Sequence, residues 1–532
     1  MSDINLGSFQ IPAATQRAIF VVFVIYSILV VGLGLFVQYQ NRKRTRNRFA
    51  EFLTGGGGLN SLEVAMIAAT AAMAGGVMIS GPGLTYRDGF IYTLVCFTLF
   101  IMNFLTLGTY GKKYAIVRHR INAQTAIQMV HHRYQSRTVA IILALFSAVF
   151  LTINSGGQFL SAAKVFSTVL GTDAYTLGLA AAAITIVIYS LAGGVKSLAK
   201  VCVLQGMIMI AAVVLLAWGE YQALTGEYGS VQAAMEFVTR ANSALVDART
   251  YTPLQAIGLA FTTGWANSCS PSNVQVSMVY NKVKVQKRSI IMGCTMLMLI
   301  NLVMATSGPI AFALNQNISN VDYSTIYLTT NLLPGWMAGI VTAAVFAAIQ
   351  SSVASFMILI AGSLARDVYK DCINPKASDK TLSRLNIVLF VIAGAVAALI
   401  ALKPSQLAQL VLILASGGIA VSYGIPNLFG AFWRKATAPG ALAASLGGVI
   451  SYIGLYFLSS SQWTAEWYAV TFQQMHPLIL AVMISTVLMI AVSLLTPNHR
   501  VPLGVYKVWF CREYSDRYAQ MYDACDRRQK RG

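Results

Sequence analysis

Within the stretch TAAVFAAIQSSVASFMILIAGSLARDVYK, Ala348, Ser351, Ser352 and Ser355 recur at spacings of three and four, which puts them on one face of a helix. That face offers the adjacent hydroxyls of Ser351 and Ser352 and the carbonyl of Ala348. Complementary groups lie in Val64 to Gly83, whose second half reads AAMAGGVMISGPG. It is too apolar for a loop and, with Gly75, Gly76, Gly81, Pro82 and Gly83, too rich in helix breakers for an unbroken helix. An interruption there frees backbone carbonyls around Thr70 to Met73. Five neutral oxygens, from Thr70, Met73, Ala348, Ser351 and Ser352, suit a small hard cation such as sodium. Small residues at this spacing also serve close helix packing, so the pattern by itself admits both uses.

A second interruption, GWANSCSPSN, sets Gly264 and Pro271 around Trp265, Asn267, Ser268 and Ser270. A further apolar run carries Asn154, Ser155, Gly156, Gly157 and Gln158. Gln158, Trp265, Asn267, Ser268, Asn273 and Ser416 are the candidate lining of a solute pocket between the two broken helices. The set is neutral, and helix-end dipoles at the breaks favour an anionic group such as a carboxylate. The apolar runs are almost free of carboxylates that would repel one. A small monocarboxylate is therefore expected, with a neutral or zwitterionic amino acid as the alternative. Lys164, six residues past Gln158, is expected to snorkel to the outer interface rather than to charge the pocket.

Other chemistries lack their residues. No Ser/His/Asp or paired-carboxylate arrangement falls within the apolar runs, so no enzyme is expected, and Gly55 to Gly58 lack the Lys-Ser/Thr of a phosphate loop. There is no CxxC or HxxxH spacing, so no transition metal or organic cofactor is expected. Cys96, Cys202, Cys269 and Cys294 fall in apolar runs, and Cys372, Cys511 and Cys525 in segments read as cytoplasmic, so no disulfide is expected. His131 and His132 sit in a basic segment and read as solvated.

The elements that carry these residues are membrane helices. With 532 residues, 56% hydrophobic and 11% charged, the chain departs from soluble proteins, whose charged fraction is about 25%. About thirteen apolar runs suit spans of roughly 20 residues, and nothing alternates as barrel strands do. The run Arg17 to Val37 is a retained span rather than a signal peptide, with Arg42, Lys43, Arg44, Arg46 and Arg48 after it. That cluster puts the N-terminus outside and, with thirteen spans, the C-terminus inside. The topology then leaves only Arg17, Arg87, Lys164, Arg240, Arg249 and Lys403 of the 38 Lys and Arg away from the cytoplasmic side. The net charge of +20 thus follows from topology and anionic headgroups and calls for no nucleic acid. GKKYAIVRHRINAQTAIQMVHHRYQSR, basic with an amphipathic middle, reads as a helix lying on the membrane interface.

The expected fold is an all-α membrane protein of two inverted five-helix repeats, because the broken runs begin blocks five spans apart and must cross in opposite directions. Residues 1–60 hold a peripheral span and a basic loop, 61–222 the first repeat and 223–251 an outer loop. Residues 252–427 form the second repeat, 428–499 two peripheral spans and 500–532 a cytoplasmic tail.

FLTGGGGL, YSLAGGVKSLAKVCVLQG, AAIQSSVASFMILIAGSLARDVYK and WRKATAPGALAASLGG together resemble the solute/sodium symporter family over nearly the whole chain. GKKYAIVRHRINAQTAIQMVHHRYQSR, KPSQLAQLVLIL and Gln158 with Lys164 resemble its pantothenate permease branch. The resemblance implies a LeuT-like fold and a sodium site at Thr70, Met73, Ala348, Ser351 and Ser352. It also marks two departures: Ala72 stands where proline carriers have an aspartate, and Cys202 where many members have another. The implied function is sodium-coupled import of a small organic solute, such as pantothenate, across the plasma membrane, in a bacterium the inner membrane. Two other classes fit the same spans, a transporter-like solute sensor and a sodium-independent facilitator. Oligomeric state is not readable.

Overall fold

The computed structural model describes residues 4–510 apart from 6–8, 43–52, 54–58, 171–174, 192–193, 248–250, 267–268, 281, 403–407, 462–463, 473–474 and 500. Asn267, Ser268, Lys43 to Arg48, Gly55 to Gly58, Arg249, Lys403 and everything past Phe510, with Cys511 and Cys525, lie outside the described residues.

Apart from a short antiparallel pairing of Ile4–Asn5 with Gln10–Ile11, the described chain is helical. The first helices are α1 (Ala13–Arg42), α2 (Ser61–Ala72), α3 (Gly81–Asp88), α4 (Phe90–Ile121), α5 (Ala126–Tyr134), α6 (Arg137–Leu170) and α7 (Tyr175–Leu191). There follow α8 (Gly194–Tyr228), α9 (Val231–Ala241), α10 (Pro253–Ala260), α11 (Pro271–Ser277), α12 (Val283–Leu314), α13 (Ser324–Leu332) and α14 (Gly335–Ser363). The last are α15 (Asp379–Ile400), α16 (Ala408–Ile419), α17 (Ile425–Phe432), α18 (Ala438–Ser460), α19 (Ala465–Thr471), α20 (Pro477–Leu495) and α21 (Leu503–Phe510).

Among the described residues, ten helices are long and apolar enough to cross a membrane, and the bent pair α2 and α3 makes an eleventh if taken as one span. The two other expected crossings are α7, apolar over Tyr175–Val187, and the interrupted pair α10 and α11. Burial orders the bundle: 94% of the apolar window of α14 is buried, against 28% for α1, α15 and α20, so α14 is central and those three face outward.

Both breaks form as their sequences dictate. At the start of α2, Glu63 N donates to Asn60 Oδ1 at 2.9 Å and Asn60 N to Glu63 Oε2 at 2.8 Å, a reciprocal cap. The helix stops at Met73, whose backbone leaves helical space at φ −86 and ψ 82. A wide π-type turn over Gly76–Ser80 leads into α3, and the two halves bend by 57°. The second break runs from α10 through a π-type turn at Phe261–Ala266 to α11, capped by Ser270. Packing is reciprocal: α2 and α3 lie on α12, while α10, α11 and the turn between them lie on α4. Each repeat's broken first helix is thus held by the other repeat's second helix, as inverted repeats require.

Two expectations about the basic segment need correction. The apolar face of α5 rests on protein rather than on lipid: Ala126, Ile127 and Met129 are fully buried, and the helix packs on α6, α11 and α17. Its apolar face found protein partners, which the hydrophobic pattern alone cannot distinguish from lipid. His131 and His132 are half-buried, and His132 Nδ1 accepts from Trp509 Nε1 at 3.2 Å. Burial holds both imidazoles below the usual histidine range. The segment after α8, expected as an outer loop, is more ordered than a loop, since α8 runs to Tyr228 and α9 follows, capped by Ser230.

Candidate functional site

The unwound end of α2 meets the small-residue face of α14. Ser351 Oγ lies 3.1 Å from the Thr70 carbonyl and 3.0 Å from that of Ala348. Ser352 Oγ lies 3.3 Å from Thr70 O, 3.2 Å from Ala71 O and 2.9 Å from Ala348 O. Thr70, Ser351, Ser352 and Ala348 are fully buried, so these oxygens face one another out of water. Met73, also buried, closes the helix by donating its N–H to Ala69 O, so the carbonyls of Thr70 and Ala71 are left to the serine hydroxyls. The result is a compact neutral oxygen cluster of the kind a hard cation prefers. Cys202 on α8 is buried beside the Thr70 side chain, where its thiol brings no charge.

Next to this cluster, a cleft with about 690 Å³ of empty space, its open mouth included, runs between the broken helices, α6 and α16. Its wall carries a relay of amides. Gly75 N donates to Gln158 Oε1 at 2.7 Å, Gln158 Nε2 to Asn154 Oδ1 at 3.4 Å and Asn154 Nδ2 to Ser416 Oγ at 3.5 Å. Gly75 is required by this approach, since a Cβ there would stand 2.7 Å from Ser161 Cβ. Ala71, Ala72, Thr262, Thr263 and Asn301 are among the other small and polar lining residues, with Tyr92 and Phe356 among its rings. Among the described residues, no charged one lines the cleft.

The sequence-derived lining is partly gathered here. Gln158 and Ser416 face the cleft. Trp265 is half-buried, stacked on Phe261 at 4.6 Å between centroids, and does not line it. Its turn presents Thr262 and Thr263 instead, because a π-type turn rotates the exposed face relative to an ordinary helix. Asn273 turns away, its amide 3.5 Å from Asn103 Oδ1 on α4. Tyr92 and Asn301 carried no sequence signal, since each is a lone polar group in an apolar helix.

Lys164 also departs from expectation. It does not snorkel to solvent; its side chain is 3% exposed and its ammonium pairs with Asp322, in the short turn Val321–Tyr323 ahead of α13. Two carboxylates outside the apolar runs are also buried: Asp322 fully, and Glu220 on α8, which is 3% exposed.

The profile of the family described as Sodium:solute symporter family matches residues 52–448. The chain belongs to this family. A sodium/pantothenate symporter of Escherichia coli strain K12 is 27% identical over 455 residues, covering 84% of this chain and 92% of that protein. A sodium/proline symporter of Haemophilus influenzae is 26% identical over 454 residues, covering 81% and 86%. The solved substrate-bound outward-open state of a Na+-coupled sialic acid symporter aligns over 90% of this chain and 98% of its own, with TM-score 0.73 at 17% identity, which shows a shared fold. As a sodium:solute symporter, the chain is a multi-pass membrane transporter of the plasma membrane that couples solute import to sodium, and not an enzyme.

Proposed function

We propose that this symporter imports a small monocarboxylate of the pantothenate type by alternating access. In this reading Thr70, Met73, Ala348, Ser351 and Ser352 hold the coupling sodium, and Gln158, Asn154 and Ser416 hold the solute. The observation that carries it is a cleft with an amide relay and, among the described residues, no charged lining residue. A zwitterionic amino acid brings an ammonium that wants a carboxylate, whereas pantothenate carries hydroxyls, an amide and one carboxylate, which amides and helix-end N–H groups satisfy. The sodium/proline relative keeps proline as the competing substrate. The same reading takes thirteen crossings, with the N-terminus outside and the C-terminus inside.

Radiolabelled pantothenate and proline offered to proteoliposomes, with and without an inward sodium gradient, test it. Sodium-driven accumulation of pantothenate, with proline neither accumulated nor competing, is the expected result. Accumulation of proline alone overturns the substrate, and binding without accumulation makes the protein a sensor.

A further inference from the structure

Three cations gather at the basic end of the bundle, away from the cleft and the oxygen cluster. Lys113 near the end of α4 has Arg133 of α5 and Arg434, two residues past α17, as its charged neighbours. Among the described residues, none of the three meets a carboxylate within ion-pair distance. They are held by rings and carbonyls instead. Lys113 Nζ sits 5.0 Å from the Phe432 centroid and 4.4 Å from that of Phe510. Arg133 Cζ lies 5.3 Å from the Phe510 ring, and Arg434 Cζ 5.7 Å from the Tyr506 ring. Ring faces attract cations but do not neutralise them.

Arg133 shows that the cluster is built and incomplete. It is 1% exposed, and it braces the end of α17 by donating from Nε to Gly430 O at 2.6 Å and from Nη2 to Trp433 O at 3.0 Å. Its Nη1 is buried with no hydrogen-bond partner. A buried guanidinium donor left over beside two more cations calls for an anion. The surroundings choose the kind of anion. Phe432 is 48% exposed and Leu503, at the start of α21, 68% exposed, so bare apolar surface adjoins the charges. A soluble anion has no use for that surface; a phospholipid covers it with acyl chain while its phosphate meets the cations.

The geometry points to a headgroup site for an anionic phospholipid of the cytoplasmic leaflet, formed by Lys113, Arg133 and Arg434 on a floor of Phe432, Tyr506 and Phe510. The site has a route to transport. α5 is tied to the second broken helix, where Ala126 N donates to Gln275 Oε1 at 2.9 Å and Gln275 Nε2 to Gln124 O at 2.7 Å. A lipid that steadies α5 against α17 therefore steadies the inner half of that helix.

The test uses the full-length purified protein in neutral detergent, titrated with phosphatidylglycerol, phosphatidylcholine or inorganic phosphate while its melting temperature is followed. The variant is Lys113→Gln with Arg434→Gln; Arg133 is kept because it braces α17. Phosphatidylglycerol is expected to raise the melting temperature of the native chain by several degrees and that of the variant by less than half as much. Phosphatidylcholine and phosphate should shift neither. Uptake by the variant in phosphatidylcholine vesicles should equal that of the native chain. An equal response of variant and native chain overturns the site, and an equal response to inorganic phosphate makes it a small-anion site. No response to phosphatidylglycerol overturns it in favour of an occupant already in place, such as the chain's own acidic residues.

Discussion

Ser351 Oγ donates to the Thr70 carbonyl across 3.1 Å, joining the central helix of one repeat to the broken helix of the other. The contact is as good for a cation as for a proton, because rotating the hydroxyl presents its lone pair to the same space that the carbonyl faces. Ser352 repeats the arrangement at 3.3 Å from Thr70 O.

Replacing Ser351 and Ser352 together by Ala should therefore raise the sodium concentration for half-maximal uptake at least about tenfold, or about 1.4 kcal/mol of lost binding. Uptake is measured against sodium at matched membrane abundance. An unchanged sodium dependence would remove these hydroxyls from the site.

One sodium ion per solute is the expected coupling ratio. The Cys202 thiol, buried beside Thr70, is neutral and a weak ligand for a hard cation, and Ala72 brings no side-chain ligand. Reversal potentials in proteoliposomes read the ratio directly. A value of two would require a second site that these residues do not provide.

Gln158→Ala takes the acceptor from Gly75 N and breaks the relay to Asn154 and Ser416. The solute KM should rise about tenfold, with the sodium dependence at saturating solute unchanged. Gly75→Ala drives a Cβ to within 2.7 Å of Ser161 Cβ and should reduce the maximal rate. If solute affinity survives in Gln158→Ala, the cleft is not the solute site.

Lys164→Met leaves the Asp322 carboxylate buried without its cation, and breaking such a pair costs about 3 to 5 kcal/mol. Its melting temperature should fall sharply. Lys164→Met combined with Asp322→Leu should recover most of that loss, because no uncompensated charge remains. Equal melting of the single variant and the native chain would show that the pair contributes nothing net.

The membrane class, the two breaks and the meeting of Thr70 with Ser351 and Ser352 were all legible in the chain itself. Each rests on a local rule: apolar runs long enough to span, glycine and proline where helix propensity must fail, and hydroxyls spaced three and four apart on one face. Gln158 was legible because it belongs to a run of polar and small residues, Asn154 to Gln158, rather than standing alone in its helix.

Only the tertiary structure decided which way a side chain faces once a helix departs from regular winding. The π-type turn at Phe261–Ala266 moves Thr262 and Thr263 into the cleft and Trp265 out of it. Only the tertiary structure could pair Lys164 with Asp322, 158 positions apart, since the cost of burying either charge falls only when the other arrives. The same holds for α5: an amphipathic pattern states that one face must leave water, and packing on α6, α11 and α17 decides that it is covered by protein rather than by lipid.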